Sequence, residues 1–314
     1  MKNPIPLRYR FRYKGCSKQP VDHRDLVLGA NVYTPDPECP SWEKGFNNET
    51  KYGKLKREHQ GSSGSCVGQG WSKYLEMLNL IETDKATDLS ARDIYSQIHL
   101  ETIGAYIRDG AKLCVKKGIC SESLMPSYDN GKPPTEQFMR KRDDASDKTI
   151  ADALIYKSKE LKFITLPCPL QEGDWEAVRQ IIWQFGGFVS GYQRHCMYVS
   201  AYYLKNGKRT INFINSYGEG SDREYSEGDR KSLYDITFLI DLPNTKNMNY
   251  VILGKEQFLI YKPLKIALNI GDEIELNKLK SKGLNDLLEP IDNLDGYTIY
   301  PFVAQERLKD LLGL

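Results

Sequence analysis

Long apolar runs are missing from this 314-residue sequence. No stretch approaches the eighteen or so apolar residues of a membrane span, and the start, MKNPIPLRYRFRYKG, has charge but no run of signal-peptide length. The expectation is a soluble chain without membrane contact, in the cytoplasm or another reducing compartment. A dominant charge sign is missing too. The 44 Lys and Arg nearly balance the 42 Asp and Glu, leaving a formal net charge of +2, so there is no basic field to hold nucleic acid. Neither G-x-G-x-x-G nor G-K-[ST] occurs, which removes the common phosphate-binding loops. The seven cysteines are scattered, with no C-x-x-C pair and no Cys/His cluster, so neither a zinc site nor a disulfide framework is expected. Histidine is scarce, with four residues in all.

What is present divides into three textures. The first sixty or so residues read as irregular, with at most one short strand at Leu26–Leu28. From Val67 the apolar residues Val67, Trp71, Tyr74, Leu75 and Leu78 recur at helical spacing. Further helices are expected near Ser90–His99 and Asp109–Lys117 and over DWEAVRQIIWQF, with a charged surface loop over SYDNGKPPTEQFMRKRDDASD. GGFVSGYQ, CMYVSAYYL and RTINFINSY then read as strands, the last two joined by a tight turn at KNGK. Helices first and a sheet second is the order of an α+β protein. Beyond Asp241, MNYVILG is strand-like, and IYKPLKIALNIGDEIELNKLKSKGL and QERLKDLLGL are expected to form short helices.

One short stretch carries reactive chemistry. In HQGSSGSCVGQGW, Gly64 and Ser65 let the backbone turn sharply, Ser62 or Ser63 can cap a helix, and Cys66 opens that helix. Unpaired N–H groups and the positive end of the helix dipole favour a thiolate there. Such placement lowers a cysteine pKa from about 8.5 to roughly 3.5–7.5. By itself the pattern suits a small buried residue at a helix start equally well. Of the four histidines, His23, His59 and His99 read as surface or packing residues. His195 differs, because it stands where GYQRHCMYV enters a strand, a rigid place from which to present an imidazole. Asn215, at the end of the following strand in NFINSYGEG, either fixes an imidazole tautomer or begins a turn.

Taken together these stretches resemble the papain-like cysteine peptidases. QGSSGSC resembles their Gln-Gly-x-x-Gly-Ser-Cys signature and NSYGEG their Asn-Ser-Trp-Gly motif. His195 and Asn215 follow Cys66 by about the 130–150 residues usual in that family. VDHRD resembles the Asp-Trp-Arg near the family's mature N-terminus, and GAYIRDGAKLCVKKGICSE with LMPSYD is similar to the end of its helical half. The resemblance implies two lobes, a helical one carrying the nucleophile and an antiparallel β lobe carrying His and Asn, with a cleft between them. It implies Cys66 as nucleophile, His195 as base, Asn215 as orienter of the imidazole and Gln60 as oxyanion-hole donor. The implied reaction is hydrolysis of polypeptide substrates through an acyl-enzyme, without metal or organic cofactor. Alternatives on the same scaffold are a thiol amidase, a peptidoglycan or isopeptide hydrolase, and a catalytically silent binding protein.

The chain also departs from the family. Ser63 replaces a cysteine that usually forms a disulfide, Val67 replaces an aromatic residue, and Tyr217 replaces the tryptophan that shields the His–Asn contact. The loop before His195 is shortened, the Cys-x-Gly-Gly segment has no match, and no long inhibitory propeptide is expected. The expected organisation is a short extension over 1–19, a peptidase domain over 20–242, and a C-terminal extension over 243–314. Apolar positions such as Ile266, Leu268 and Ile270 mark that extension for docking, self-association, a partner protein or a lid.

Overall fold

The computed structural model describes residues 15–20, 28–33, 36–156, 161–166, 168, 170, 174–231 and 233–241, together with four short strands beyond them. VDHRD, with His23, lies outside the described residues, as does most of the C-terminal extension.

The helical half is built on α2 (Cys66–Thr83), preceded by β2 (Phe46–Asn47) and α1 (Asn48–Tyr52). The stripe read from the sequence faces inward: Val67, Trp71, Tyr74 and Leu75 are buried. Two glycines in this helix cost roughly 1 kcal/mol each relative to Ala, and close packing explains them. A Cβ on Gly68 would meet the Ala91 carbonyl oxygen at 2.5 Å, and one on Gly70 would stand 3.1 Å from the Cys196 sulfur. Helices α3 (Ala91–Ile98) and α4 (Ile107–Lys117) pack beside α2. Ser90 starts α3 by accepting from the Asp93 N–H at 3.0 Å. The charged stretch expected as a loop contains a single turn, α5 (Glu136–Met139), and α6 (Asp147–Ile155) follows with a Ser146–Thr149 capping box.

The β half is a seven-stranded antiparallel sheet in the order β3-β8-β4-β5-β6-β7, with β2 also pairing β5. Its strands are β3 (Leu161–Leu166), β4 (Phe188–Tyr192), β5 (His195–Lys205), β6 (Lys208–Ile214), β7 (Arg223–Ser226) and β8 (Leu233–Asp241). Helix α7 (Asp174–Gln184) packs against this sheet through Trp175, Val178, Ile181 and Ile182. Where the halves meet, Tyr74 of α2 stacks on Tyr198 of β5 at 5.5 Å, and its hydroxyl donates to the Phe185 carbonyl. Helices and sheet thus share one core, the α+β arrangement expected.

Strand β1 (Leu28–Tyr33) pairs antiparallel with β9 (Tyr250–Leu253), which falls within the expected strand MNYVILG. They open a second sheet, ordered β1-β9-β10-β12-β11, with β10 (Phe258–Tyr261), β11 (Asp292–Leu294) and β12 (Tyr297–Pro301). Ile260 and Tyr261, expected to begin a helix, instead end β10. The rest of that expected helix and the one over QERLKDLLGL lie outside the described residues. Among the described residues no helix is long and apolar enough to cross a membrane.

Candidate active site

Cys66 is the first residue of α2 and is wholly buried. The N-cap is Ser65, not Ser62 or Ser63, and its side chain makes no capping bond to the helix. Ser63 instead ties the preceding turn together: its hydroxyl donates to the Gln60 carbonyl and shares a 2.7 Å hydrogen bond with Ser65. Gly61 needs its lack of a side chain, with φ at +60° and Pro134 carbonyl oxygen 2.3 Å from where a Cβ would sit. Sequence reasoning missed Glu136, which accepts from the Gly64 N–H at 2.7 Å and from the Tyr95 hydroxyl at 2.6 Å. The turn carrying the thiol is therefore held from the stretch expected to be a surface loop. The signal available was Thr135 followed by Glu, a helix start amid turn residues.

His195 opens β5 after a two-residue hairpin. Tyr192 pairs with His195, and Gln193 and Arg194 between them both have positive φ, at 54° and 65°. Both central residues of a type I′ turn take this left-handed backbone, usually with Asn or Gly. The shortened loop read from the sequence is this hairpin, and it fixes the histidine at the sheet's rim. His195 Nε2 lies 2.7 Å from Asn215 Oδ1. That oxygen also accepts from the Ser216 N–H, while Asn215 Nδ2 donates to the Ser221 carbonyl. The amide orientation is thus determined, so Nε2 must carry the proton and Nδ1 is left as the acceptor. Tyr217 stacks on the imidazole at 5.1 Å and 19°, and His59 meets the other ring of that pair edge-on. His59, as expected, is a packing residue. Its Nδ1 accepts from the Gly61 N–H.

Gln60 links the halves. Its N–H donates to the Ser216 carbonyl at 2.9 Å, its side-chain oxygen accepts from the Ser216 hydroxyl, and Nε2 donates to the Ser63 carbonyl at 2.8 Å. An amide nitrogen carries two protons, so one remains for a further acceptor.

An N-terminal segment crosses this site. The Gly15 carbonyl accepts from Ala105 N–H, the Cys16 N–H donates to the Arg194 carbonyl, and Ser17 N–H donates to the Ala105 carbonyl. A Cβ on Gly15 would stand 2.7 Å from the Cys66 sulfur. Under this cover the electrostatics differ from the expectation of a lowered thiol pKa. Burial pushes the Cys66 thiol well above its ordinary range, and the Cys16 thiol adds to the rise. The backbone N–H groups of Cys196 and Val67 oppose it without prevailing. Burial likewise pushes His195 down to about 4 against the Asn215 hydrogen bond. The Cys66 thiol and the His195 imidazole are each held toward the neutral form, because desolvation outweighs the helix terminus at the one and the Asn215 hydrogen bond at the other. All seven cysteines are free, and among the described residues no three His, Cys, Asp or Glu side chains gather as metal ligands.

No protein-family model and no curated protein sequence matches the chain. Its structure is similar to that of xylellain, a cysteine protease from Xylella fastidiosa, with a TM-score of 0.55 at 18% identity, covering 74% of this chain and 98% of that one. It is also similar to the digestive procathepsin L2 proteinase of Tenebrio molitor larval midgut (TM-score 0.54, 13% identity, 76% and 81% covered). A third similar structure is procathepsin B S9 from Trypanosoma congolense (TM-score 0.50, 12% identity, 72% and 86% covered). The fold is papain-like.

Proposed function

We propose that this chain is a cysteine-type endopeptidase that hydrolyses peptide bonds through a thiolate nucleophile and an acyl-enzyme intermediate. The observation that carries the reading is the tautomer fixed at His195. With Nε2–H committed to Asn215, Nδ1 is the basic nitrogen, on a papain-like fold whose other half presents a cysteine at a helix N-terminus. Cys66 is the nucleophile and attacks the substrate carbonyl. His195 takes the thiol proton at Nδ1 and returns it to the leaving amine. Asn215 holds the ring, and Tyr217 lies over one of its faces. The free proton on Gln60 Nε2 and the Cys66 N–H receive the oxyanion. The hydrolytic unit is residues 20–242. Turnover requires the segment at Gly15–Ser17 to leave the cleft, which rehydrates the thiol and imidazole and lets the proton pass between them.

The test is digestion of a peptide library by the full chain under reducing conditions, read by mass spectrometry, with Cys66→Ala alongside. The expected outcome is internal cleavage by the wild type and none by the variant. Equal cleavage by both proteins overturns the reading.

A further inference from the structure

Three sulfurs converge on this site, and the proposed hydrolysis uses one of them. Cys196 follows His195 on β5 and points toward α2, one turn beyond Cys66: its sulfur is 3.1 Å from the position of a Gly70 Cβ. Cys16 lies on the covering segment and is 2% exposed, and its thiol adds to the rise of both the Cys66 and the Cys196 thiols, as a near neighbour does. The backbone holds them together. The Cys16 N–H donates to the carbonyl of Arg194, two residues before Cys196, and its carbonyl accepts from the Tyr234 hydroxyl at 3.4 Å. Further along, the Gln19 N–H donates to the Asp235 carboxylate at 2.9 Å, Gln19 Oε1 accepts from Arg108 N–H, and the Pro20 carbonyl accepts from the Arg108 guanidinium. The segment is thus bound to both halves by weak, individually reversible contacts, and it brings a thiol to a thiol.

We propose that Cys16 and Cys196 form a reversible disulfide that locks residues 15–17 over Cys66, so that the cleft opens only in the reduced protein. The oxidant is a peroxide. The Cys16 sulfur attacks one peroxide oxygen, its thiol proton passes to the departing oxygen, and Cys16 becomes a sulfenic acid as water leaves. Cys196 sulfur then displaces the second water from the Cys16 sulfur. Two thiols lose two electrons and two protons, and hydrogen peroxide is reduced to two waters. A dithiol reverses the step by thiol–disulfide exchange. Without the bridge, the segment can exchange in and out by breaking a few hydrogen bonds; with it, local opening of the cleft requires breaking a covalent bond. The consequence for hydrolysis rests on the function proposed above, whereas the bridge itself does not.

The experiment treats the full chain with hydrogen peroxide at a slight molar excess, then maps disulfides by mass spectrometry. In parallel, it follows alkylation of Cys66 by iodoacetamide, read site by site. The expected result is a Cys16–Cys196 linked peptide that disappears with dithiothreitol, and alkylation of Cys66 roughly tenfold or more slower in the bridged protein than after reduction. Cys16→Ser and Cys16→Ala should both abolish the linkage and the dithiothreitol-dependent change in alkylation. Four results overturn the proposal: Cys16 remaining unbridged, Cys16 bridging to Cys66, Cys66 being alkylated equally fast in both states, or the Cys16 variants keeping the change. Absence of peptide cleavage by the reduced wild type would sink the peptidase reading alone, because mapping and alkylation need no turnover.

Discussion

The helical half and the β half hold Cys66 and His195 by different means. In the helical half the Cys66 sulfur is fixed by sterics and backbone: a glycine-rich turn, a helix start, and N–H groups aimed at the sulfur. In the β half the imidazole ends a chain of hydrogen bonds that runs mainly through side chains. His195 bonds Asn215, whose backbone N–H donates to Asp222, and Asp222 pairs with the buried Arg57, which also pairs with Glu49 of α1. A thiol offers weak hydrogen bonds and packs like a small apolar group, so shape can position it. An imidazole must have the right nitrogen protonated, and only directional partners can arrange that. The difference makes the β half the one that polar substitutions should break.

The largest expected effect is at Arg57. Its guanidinium makes bonds of 2.6 to 3.1 Å to Glu49 and Asp222 while only 5% of its side chain is exposed. Arg57→Gln takes the cation from the buried Glu49 side chain and leaves it the Leu55 N–H, a change worth about 3–5 kcal/mol. Urea denaturation should show that loss, and any folded fraction should hydrolyse more slowly because Asp222 no longer anchors Asn215. A variant as stable as the wild type would dissolve the proposed chain in the β half.

Gln60 tests the join between the halves. Gln60→Ala should lower kcat by about 10²–10³ with little change in KM, as loss of one oxyanion donor does. An unchanged kcat would assign this glutamine to linking Ser63 with Ser216 and nothing more.

A pH experiment sharpens the contrast at His195. Burial holds its folded pKa at about 4, below the ordinary 6.5. Between those values the unfolded imidazole binds a proton and the folded one does not, so stability is lost as pH falls through this window. The loss attributable to His195 is on the order of 2–3 kcal/mol. Glu76 and Glu122, raised to about 7 by burial, push the other way, since their folded forms bind protons that the unfolded chain has released above pH 4.5. The comparison is therefore wild type against His195→Gln, which shares both carboxyls. The wild type should lose ground to the variant from pH 6.5 to 4. Parallel stability profiles would mean that folding does not desolvate the imidazole.

The smallest expected effect is at Tyr217. An aromatic stack contributes about 0.5–1.5 kcal/mol beyond its buried area. Tyr217→Leu should therefore cost roughly a few-fold in kcat, read with a small unhindered peptide substrate. A fall of several orders of magnitude would show that the ring positions the imidazole as strongly as Asn215 does.

Much of this arrangement was legible in the chain itself. Helical periodicity from Val67 and the β-rich runs around the KNGK turn are local patterns, and α2, β5 and β6 follow them. Cys66, His195 and Asn215 were legible in their own local stretches and Gln60 only through the family resemblance, and the structure gathers Gln60 and Asn215 about Ser216 and pairs Asn215 with His195. Tertiary structure alone decided what surrounds them. Glu136 reaches Gly64 from a stretch whose composition reads as surface loop, and Gly15–Ser17 reach the cleft from a segment that reads as irregular. The ionisation of the thiol reversed for the same reason. A helix N-terminus is a local property and favours the thiolate, but desolvation depends on every atom that excludes water. Those atoms come from residues far away in sequence, and no local pattern records them.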